Sequence, residues 1–241
     1  KWAISKNFGG AENLISIPGF VGGAPIQNIG AYGVEIKDIF VSCSGYFLDT
    51  IEKKKFELND CQFSYRSSIF KKSLRNKFII TEVVLQLSKT NHKISKSYKS
   101  INDALNKKKI QNPSIKDIAR IVSKIRENKL PNPSLIGNSG SFFKNPIVSV
   151  AVVNKLKQKF SKLVYFKESV SKYKLSAAWL IENCNFKNIE EKNVGVYKNQ
   201  ALVIINLGNA TGKEILLFSE KIKSTVLEKF DILLEEEVNI I

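Results

Sequence analysis

Residues 17–35 read IPGFVGGAPIQNIGAYGVE and hold Gly19, Gly22, Gly23, Gly30 and Gly33 together with Pro18 and Pro25. That density of glycine is too high for a packed helix or strand, so the stretch predicts a loop. Glycine admits left-handed torsions and leaves backbone N–H groups bare, which suits close approach to a phosphate or a flat ring. Ordinary turn chemistry is the other reading of the same glycines. The spacing is not the dinucleotide fingerprint, because VGGAPIQNIG cannot be laid on G-x-G-x-x-G opening a helix and Pro25 removes a donor there.

Outward from this stretch, the 241 residues are 43% hydrophobic and 25% charged, an ordinary globular balance. No apolar run is long enough to span a membrane, and KWAISKNFGG lacks the centre of a secretion signal. The expectation is a cytoplasmic protein with no membrane partner. Cys43, Cys61 and Cys184 are scattered without C-x-x-C spacing, and the single histidine, His92, lies in a polar run that reads as a solvated loop. No metal site is expected. The net charge of +16 is nearly all lysine spread along the chain, which fits compositional drift better than a nucleic-acid face, so no nucleic-acid partner is expected.

In chain order, 36–43 and 45–48 read as short strands, 52–55 as a charged turn, 56–58 as the start of another strand, and FIITEVVLQL (78–87) as a partly buried strand. Ser114 and Asp117 form a capping-box pattern before an apolar stripe of Ile115, Ile118, Ala119, Val122 and Ile125. Pro131 and Pro133 mark a hinge into a second domain. GNSGSFFKNP (137–146) is a small-residue loop anchored by Phe142 and Phe143; with no histidine near, it offers no base for serine hydrolase chemistry. KLSAAWLIEN (174–183) reads as a helix, 194–197 and 201–206 as a hairpin, and Thr211 with Glu214 as the capped start of a helix with Ile215, Phe218, Ile222 and Val226 buried. In DILLEEEVNII, 232–234 and 238–241 read as strands around three carboxylates, a solvated edge or a like-charge cluster that would raise a carboxyl pKa.

GAENLISIPGFVGGAPIQNIGAYGVEI, FSYRSSIF, KLPNPSLIGNSGSFFKNP and LLEEEVNII, in this order, closely resemble the MurB family of FAD-dependent UDP-N-acetylenolpyruvoylglucosamine reductases. The resemblance implies an α+β fold. Residues 1–130 would be the second part of a PCMH-type FAD-binding domain, 131–231 a smaller α/β substrate-binding domain, and 232–241 a terminal strand with a catalytic Glu. It implies reduction of UDP-N-acetylglucosamine enolpyruvate to UDP-N-acetylmuramate in peptidoglycan precursor synthesis, with FAD and NADPH as cofactors and a UDP-sugar as the bound partner.

By the same resemblance Arg66 stabilises the developing enolate, Ser141 protonates the carbanion and Glu237 is the catalytic carboxylate. Gly22, Gly23, Ala24, Gln27 and Asn28, then Gly30, Ala31, Tyr32 and Gly33, would hold the flavin. Tyr65, Lys129, Lys144 and Asn145 fall on the substrate side. Tyr98 stands near the family's loop tyrosine but is followed by Lys99 in place of glycine, and a packing role is its alternative. Two other departures are Asn132 where Asp is common and Glu236 where proline is common. The family also carries a preceding glycine-rich FAD segment that is not in these residues, so 1–10 read as the tail of something longer, to be completed by a separate N-terminal FAD-binding segment. An inactive or split remnant of such a reductase is the alternative.

Overall fold

The computed structural model describes residues 1–240, which form an α+β chain of two compact units, Lys1–Arg126 and Glu127–Ile241.

The first unit opens with a short helix, α1 (Trp2–Ser5), and Gly9 bridges to Ser88. The glycine-rich stretch is not wholly loop. Two-residue strands β1 (Gly30–Ala31) and β2 (Val34–Glu35) pair antiparallel around Tyr32 and Gly33, at φ +51° and +83°. Two successive positive φ values are what a type I′ hairpin turn requires. Residues 36–38 are a 3₁₀ turn and not the start of a strand, because the Asp38 carboxylate accepts from the Glu35 N–H at 2.8 Å and closes the chain into a cap.

One strand, β3 (Phe40–Phe47), then replaces the two short ones expected. It lies between β4 (Lys53–Glu57) and β5 (Phe78–Leu85) in an antiparallel sheet. Gly45 does not end it: the register shifts beside it, and a methyl there would overlap the Ile79 carbonyl oxygen, so glycine lets β5 close in. The charged residues 53–55 are strand, the turn falling earlier, where Ile51 takes φ +57°. One face of this sheet buries Phe40, Cys43 and Phe56 with Cys61 and Phe70. Helices α2 (Lys99–Lys107) and α3 (Ile115–Lys129) bury Ile101, Leu105, Ile118, Ile121 and Val122 together. The Ser114–Asp117 capping bonds are present in both directions. His92 is half-buried, not solvated, its Nδ1 lying 2.9 Å from the Ser88 Oγ.

The second unit contains β6 (Gly137–Ser141), β7 (Ile147–Ser149), α4 (Val150–Lys159), β8 (Tyr165–Lys167), β9 (Lys172–Leu175) and α5 (Ala177–Asn183). β10 (Glu190–Glu191), β11 (Val194–Val196), β12 (Val203–Asn206) and α6 (Gly212–Phe230) follow. One antiparallel sheet runs β10-β11-β12-β6, the other β7-β9-β8. The expected helix 174–183 starts only after Ser176, whose hydroxyl accepts from the Trp179 N–H; the preceding residues continue β9. α6 begins as read, with the Thr211–Glu214 capping box, and Phe218, Ile222 and Val226 are buried.

Residues 232–234 are not a strand, although Ile232 and Leu234 are buried in the core. The pairing beyond them is a single antiparallel bridge between Phe143 and Glu236, and residues 238–240 form no strand; Ile241 lies outside the described residues.

Candidate active site

Arg66 sits at the tip of a tight turn in which Ser64 and Ser67 exchange both backbone hydrogen bonds. Its φ of +51° is the left-handed value that such a turn demands at its second central residue. The guanidinium donates to the Gly30 carbonyl at 2.6 Å and lies over the Tyr65 ring, 5.1 Å from its centroid. Gly30 leaves room for this: a methyl there would come within 2.9 Å of the Arg66 Nη1. Two buried polar residues tie the same pieces together. The Asn28 amide donates to Glu35 at 2.8 Å and to the Ser64 carbonyl at 3.1 Å, and the Ser68 hydroxyl donates to the Ile26 carbonyl at 2.6 Å. Structure therefore brings Arg66 and Tyr65 onto the glycine-rich segment.

Within that segment the glycines divide by use. Gly22 lets residues 21–23 lie on β5, since its methyl would stand 3.0 Å from the Ile80 carbonyl oxygen; at Gly19 and Gly23 a methyl would meet nothing within 4 Å. The backbone there is open, with Phe20 exposed beside it. Ala24 is packed in the core, and the Gln27 carboxamide accepts from Lys71 at 3.4 Å.

At the hairpin tip, Tyr98 meets Tyr32 edge-on, 5.2 Å between centroids, and caps the start of α2. The Asn13 amide, buried, donates to the Tyr32 and Ser95 carbonyls. Desolvation raises the Tyr32 phenol above its ordinary pKa, Arg126 opposing and Tyr98 adding; desolvation likewise lowers Arg126.

In the second unit, β6 carries a bulge just before Ser141. Its register against β12 shifts between Val203 and Ile205, with Gly140 at φ +72° and the Gly140 N–H donating to Asn138 at 3.0 Å. Such bulges re-aim the side chain that follows. Beyond Ser141 the Phe142 N–H donates to the Leu202 carbonyl and its carbonyl accepts from the Glu237 N–H at 2.7 Å, while the Lys144 N–H donates to the Glu235 carbonyl. The Glu237 backbone is thus tied to the residue that follows Ser141.

The three carboxylates do not form an uncompensated cluster. Lys144 pairs with Glu235 at 2.9 Å and Lys223 with Glu236 at 2.7 Å. Desolvation pushes the Glu236 carboxyl up, but the Lys223 hydrogen bond, a bond from its own backbone and the charges of Lys223 and Lys144 outweigh it and hold the carboxyl below its ordinary range. Asn145 accepts from the Ala177 N–H at 2.9 Å, holding the loop to the start of α5. Lys129 ends α3, exposed, its ammonium pKa lowered chiefly by desolvation. Among the described residues no group of three or more His, Cys, Asp or Glu side chains could hold a metal ion.

The family model for the C-terminal domain of UDP-N-acetylenolpyruvoylglucosamine reductase matches residues 132–241. The UDP-N-acetylenolpyruvoylglucosamine reductase of Flavobacterium johnsoniae is 49% identical over 240 residues, all of this chain and 71% of that protein. The chain belongs to the MurB reductase family. The family protein from Amoebophilus asiaticus is 45% identical over the same length, 70% of its own. The crystal structure of UDP-N-acetylenolpyruvylglucosamine reductase (MurB) from Thermus caldophilus shares the fold, with a TM-score of 0.66 over 99% of this chain and 66% of that one, at 20% identity. No helix among the described residues is long and apolar enough to cross a membrane.

The MurB reading places Arg66 in the first unit and Ser141 and Glu237 in the second. Sequence reasoning left out two features of this MurB chain: Arg126 and Asn13 beside Tyr32, and Lys223 against Glu236. Arg126 lies on the apolar-stripe side of α3, four residues after Val122, a signal that could have drawn attention to it. Lys223 carried no signal among so many lysines.

Proposed function

We propose that this chain takes part in the FAD-dependent reduction of UDP-N-acetylglucosamine enolpyruvate to UDP-N-acetylmuramate by NADPH, a cytoplasmic step of peptidoglycan precursor synthesis. The observation that carries the reading is the bridge that sets Glu237 opposite Phe142, next to Ser141. A hydroxyl and a carboxylate carried on segments tied together here are the groups needed to hand a proton to a carbanion and to stabilise its charge.

The residues present fit a flavin on the first unit, because the open backbone at Gly19 and Gly23 lets a flat group approach without displacing packed atoms. Gly22, Gly23, Gly30, Ala31 and Gly33 would give that approach, with Ala24, Gln27, Asn28 and Tyr32 shaping the loop. When bound, FAD supplies the two-electron carrier between the nicotinamide and the enolpyruvyl group. Arg66, held by Gly30 and Tyr65, presents a permanent cation to the enolate and carboxylate charge. Ser141 gives the proton to the substrate carbon, and Glu237 stabilises the same species. Tyr65, Tyr98, Lys129, Lys144 and Asn145 serve the UDP-sugar.

The test is a flavin absorbance spectrum of the purified chain after loading with excess FAD and desalting, with and without the part of the relatives' length that these residues do not span supplied as a separate segment, followed by turnover of UDP-N-acetylglucosamine enolpyruvate with NADPH. Retained flavin with turnover supports the reading. Absence of flavin under both conditions would count against it and favour an inactive remnant.

A further inference from the structure

Residues 235–237 leave the core after Leu234 and are held by little backbone: the bonds from Lys144 to Glu235 and from Glu237 to Phe142 flank one bridge. Buried Leu234 before the run and Val238 after it, packed against the core, seat the segment, because a slip of one residue would draw Leu234 out of the core. Between them stand three glutamates, half-buried or exposed.

Lys144 and Lys223 both reach this run, and burial sets the two pairs apart. Lys144 and Glu235 form a pair whose glutamate side chain is 71% exposed, a setting in which such pairs contribute little. Lys223 and Glu236 are 17% and 23% exposed, so their 2.7 Å contact is screened far less. Lys223 is itself aimed by Glu220, one turn earlier on α6 at 2.9 Å, and α6 is anchored by buried Ile222 and Val226 on either side.

We propose that Lys223 is a positioning residue: by binding Glu236 it holds the acidic run in register on its bridge and so keeps Glu237 tied to the residue that follows Ser141. The inference rests on reading Ser141 and Glu237 as the reacting pair.

Amide exchange by ¹⁵N NMR on the whole chain tests the register, and turnover of the flavin-loaded full-length enzyme tests its use. In Lys223→Met the Glu237 and Lys144 amides should exchange about tenfold faster, the order expected for losing one charge-assisted hydrogen bond, while α6 amides away from the site keep their rates. Turnover should fall about tenfold with the substrate KM unchanged, because the loss is confined to the transition state. Lys223→Arg should restore both, and Glu236→Gln should repeat the Lys223→Met result if that variant folds poorly. Unchanged exchange in Lys223→Met and Glu236→Gln overturns the proposal. So does faster exchange with full turnover while Glu237→Gln is impaired. Full turnover in Glu237→Gln overturns the reacting-pair reading itself, and this proposal with it.

Discussion

The Glu237 N–H donates to the Phe142 carbonyl at 2.7 Å, so a residue near one end of the second unit is locked to the residue that follows Ser141. Ser141→Ala should lower turnover on the order of 10²-fold or more, the usual size for a positioned proton donor. Reduction of bound flavin by NADPH should survive. Stopped-flow traces showing both half-reactions equally slowed would remove the proton-donor role.

Arg66→Lys should fail to replace arginine. The guanidinium bonds the Gly30 carbonyl while lying over Tyr65, and an ammonium cannot keep both contacts in that planar geometry. The expected loss in turnover is about 10²- to 10³-fold, as for removal of a preorganised charge-stabilising donor. Equal activity of the two variants would show that only the charge matters.

Gly30→Ala and Gly45→Ala should separate function from stability. The methyl at Gly30 meets the Arg66 Nη1 and the Glu35 Cγ at 2.9 Å and the Val34 carbonyl oxygen at 3.1 Å, so it should displace Arg66 and lower turnover at a smaller cost in stability than the Gly45 change. The methyl at Gly45 meets the Ile79 backbone inside the sheet, and the cost should be on the order of 3 kcal/mol by denaturation, in the range of severe overpacking. A reversed order of stabilities would contradict the close approach of β3 and β5.

The Lys223–Glu236 pair gives a pH window with two edges. The Glu236 carboxyl is depressed, so its contribution is present above the unfolded value of about 4.3 and disappears as pH falls through the folded value. Hydrogen bonds that Lys223 donates to Glu236 and Glu220 raise its ammonium pKa, so its contribution is complete below the unfolded value of about 10.4 and disappears as pH rises through the folded one. Protection of the Glu237 amide should be flat between these limits and fall at both ends. A protection profile breaking near neutrality would point to a different partner.

Ellman's reagent should leave Cys43 and Cys61 untouched in the folded protein and react with both on unfolding. Both are buried, and the hydrogen bond that Cys61 donates to Cys43, with burial, pushes the Cys61 thiol far up. Rapid titration of either in the native state would mean that the aromatic core of the first unit opens readily.

What the sequence showed was local. The Ser114–Asp117 and Thr211–Glu214 boxes lie within one turn, and both helices begin where those residues set them. The hairpin at Tyr32 was hidden because its turn needs a tyrosine at positive φ, which residue type alone does not announce. The helix expected from 174 begins later because KYKL, apart from the later apolar stripe, pairs with β7 and β8. α2 went unread because its apolar residues Ile101 and Leu105 are few among polar ones. In the candidate site, the residue types at 66, 141 and 237 were legible through their motifs. The partners that hold them were not: Gly30 and Lys223 act across a distance in sequence, and the Gly140 bulge exists only through pairing with β12.

The junction of Phe142 with Glu237 joins positions nearly a whole unit apart in the chain, and closing so long a loop is slow and entropically costly. Catalytic competence would then be the last property acquired as the unit folds and the first lost when its margin is breached. Molecules with most of their helices and sheets intact, but with this one clasp undone, would look native to circular dichroism and be silent in an assay.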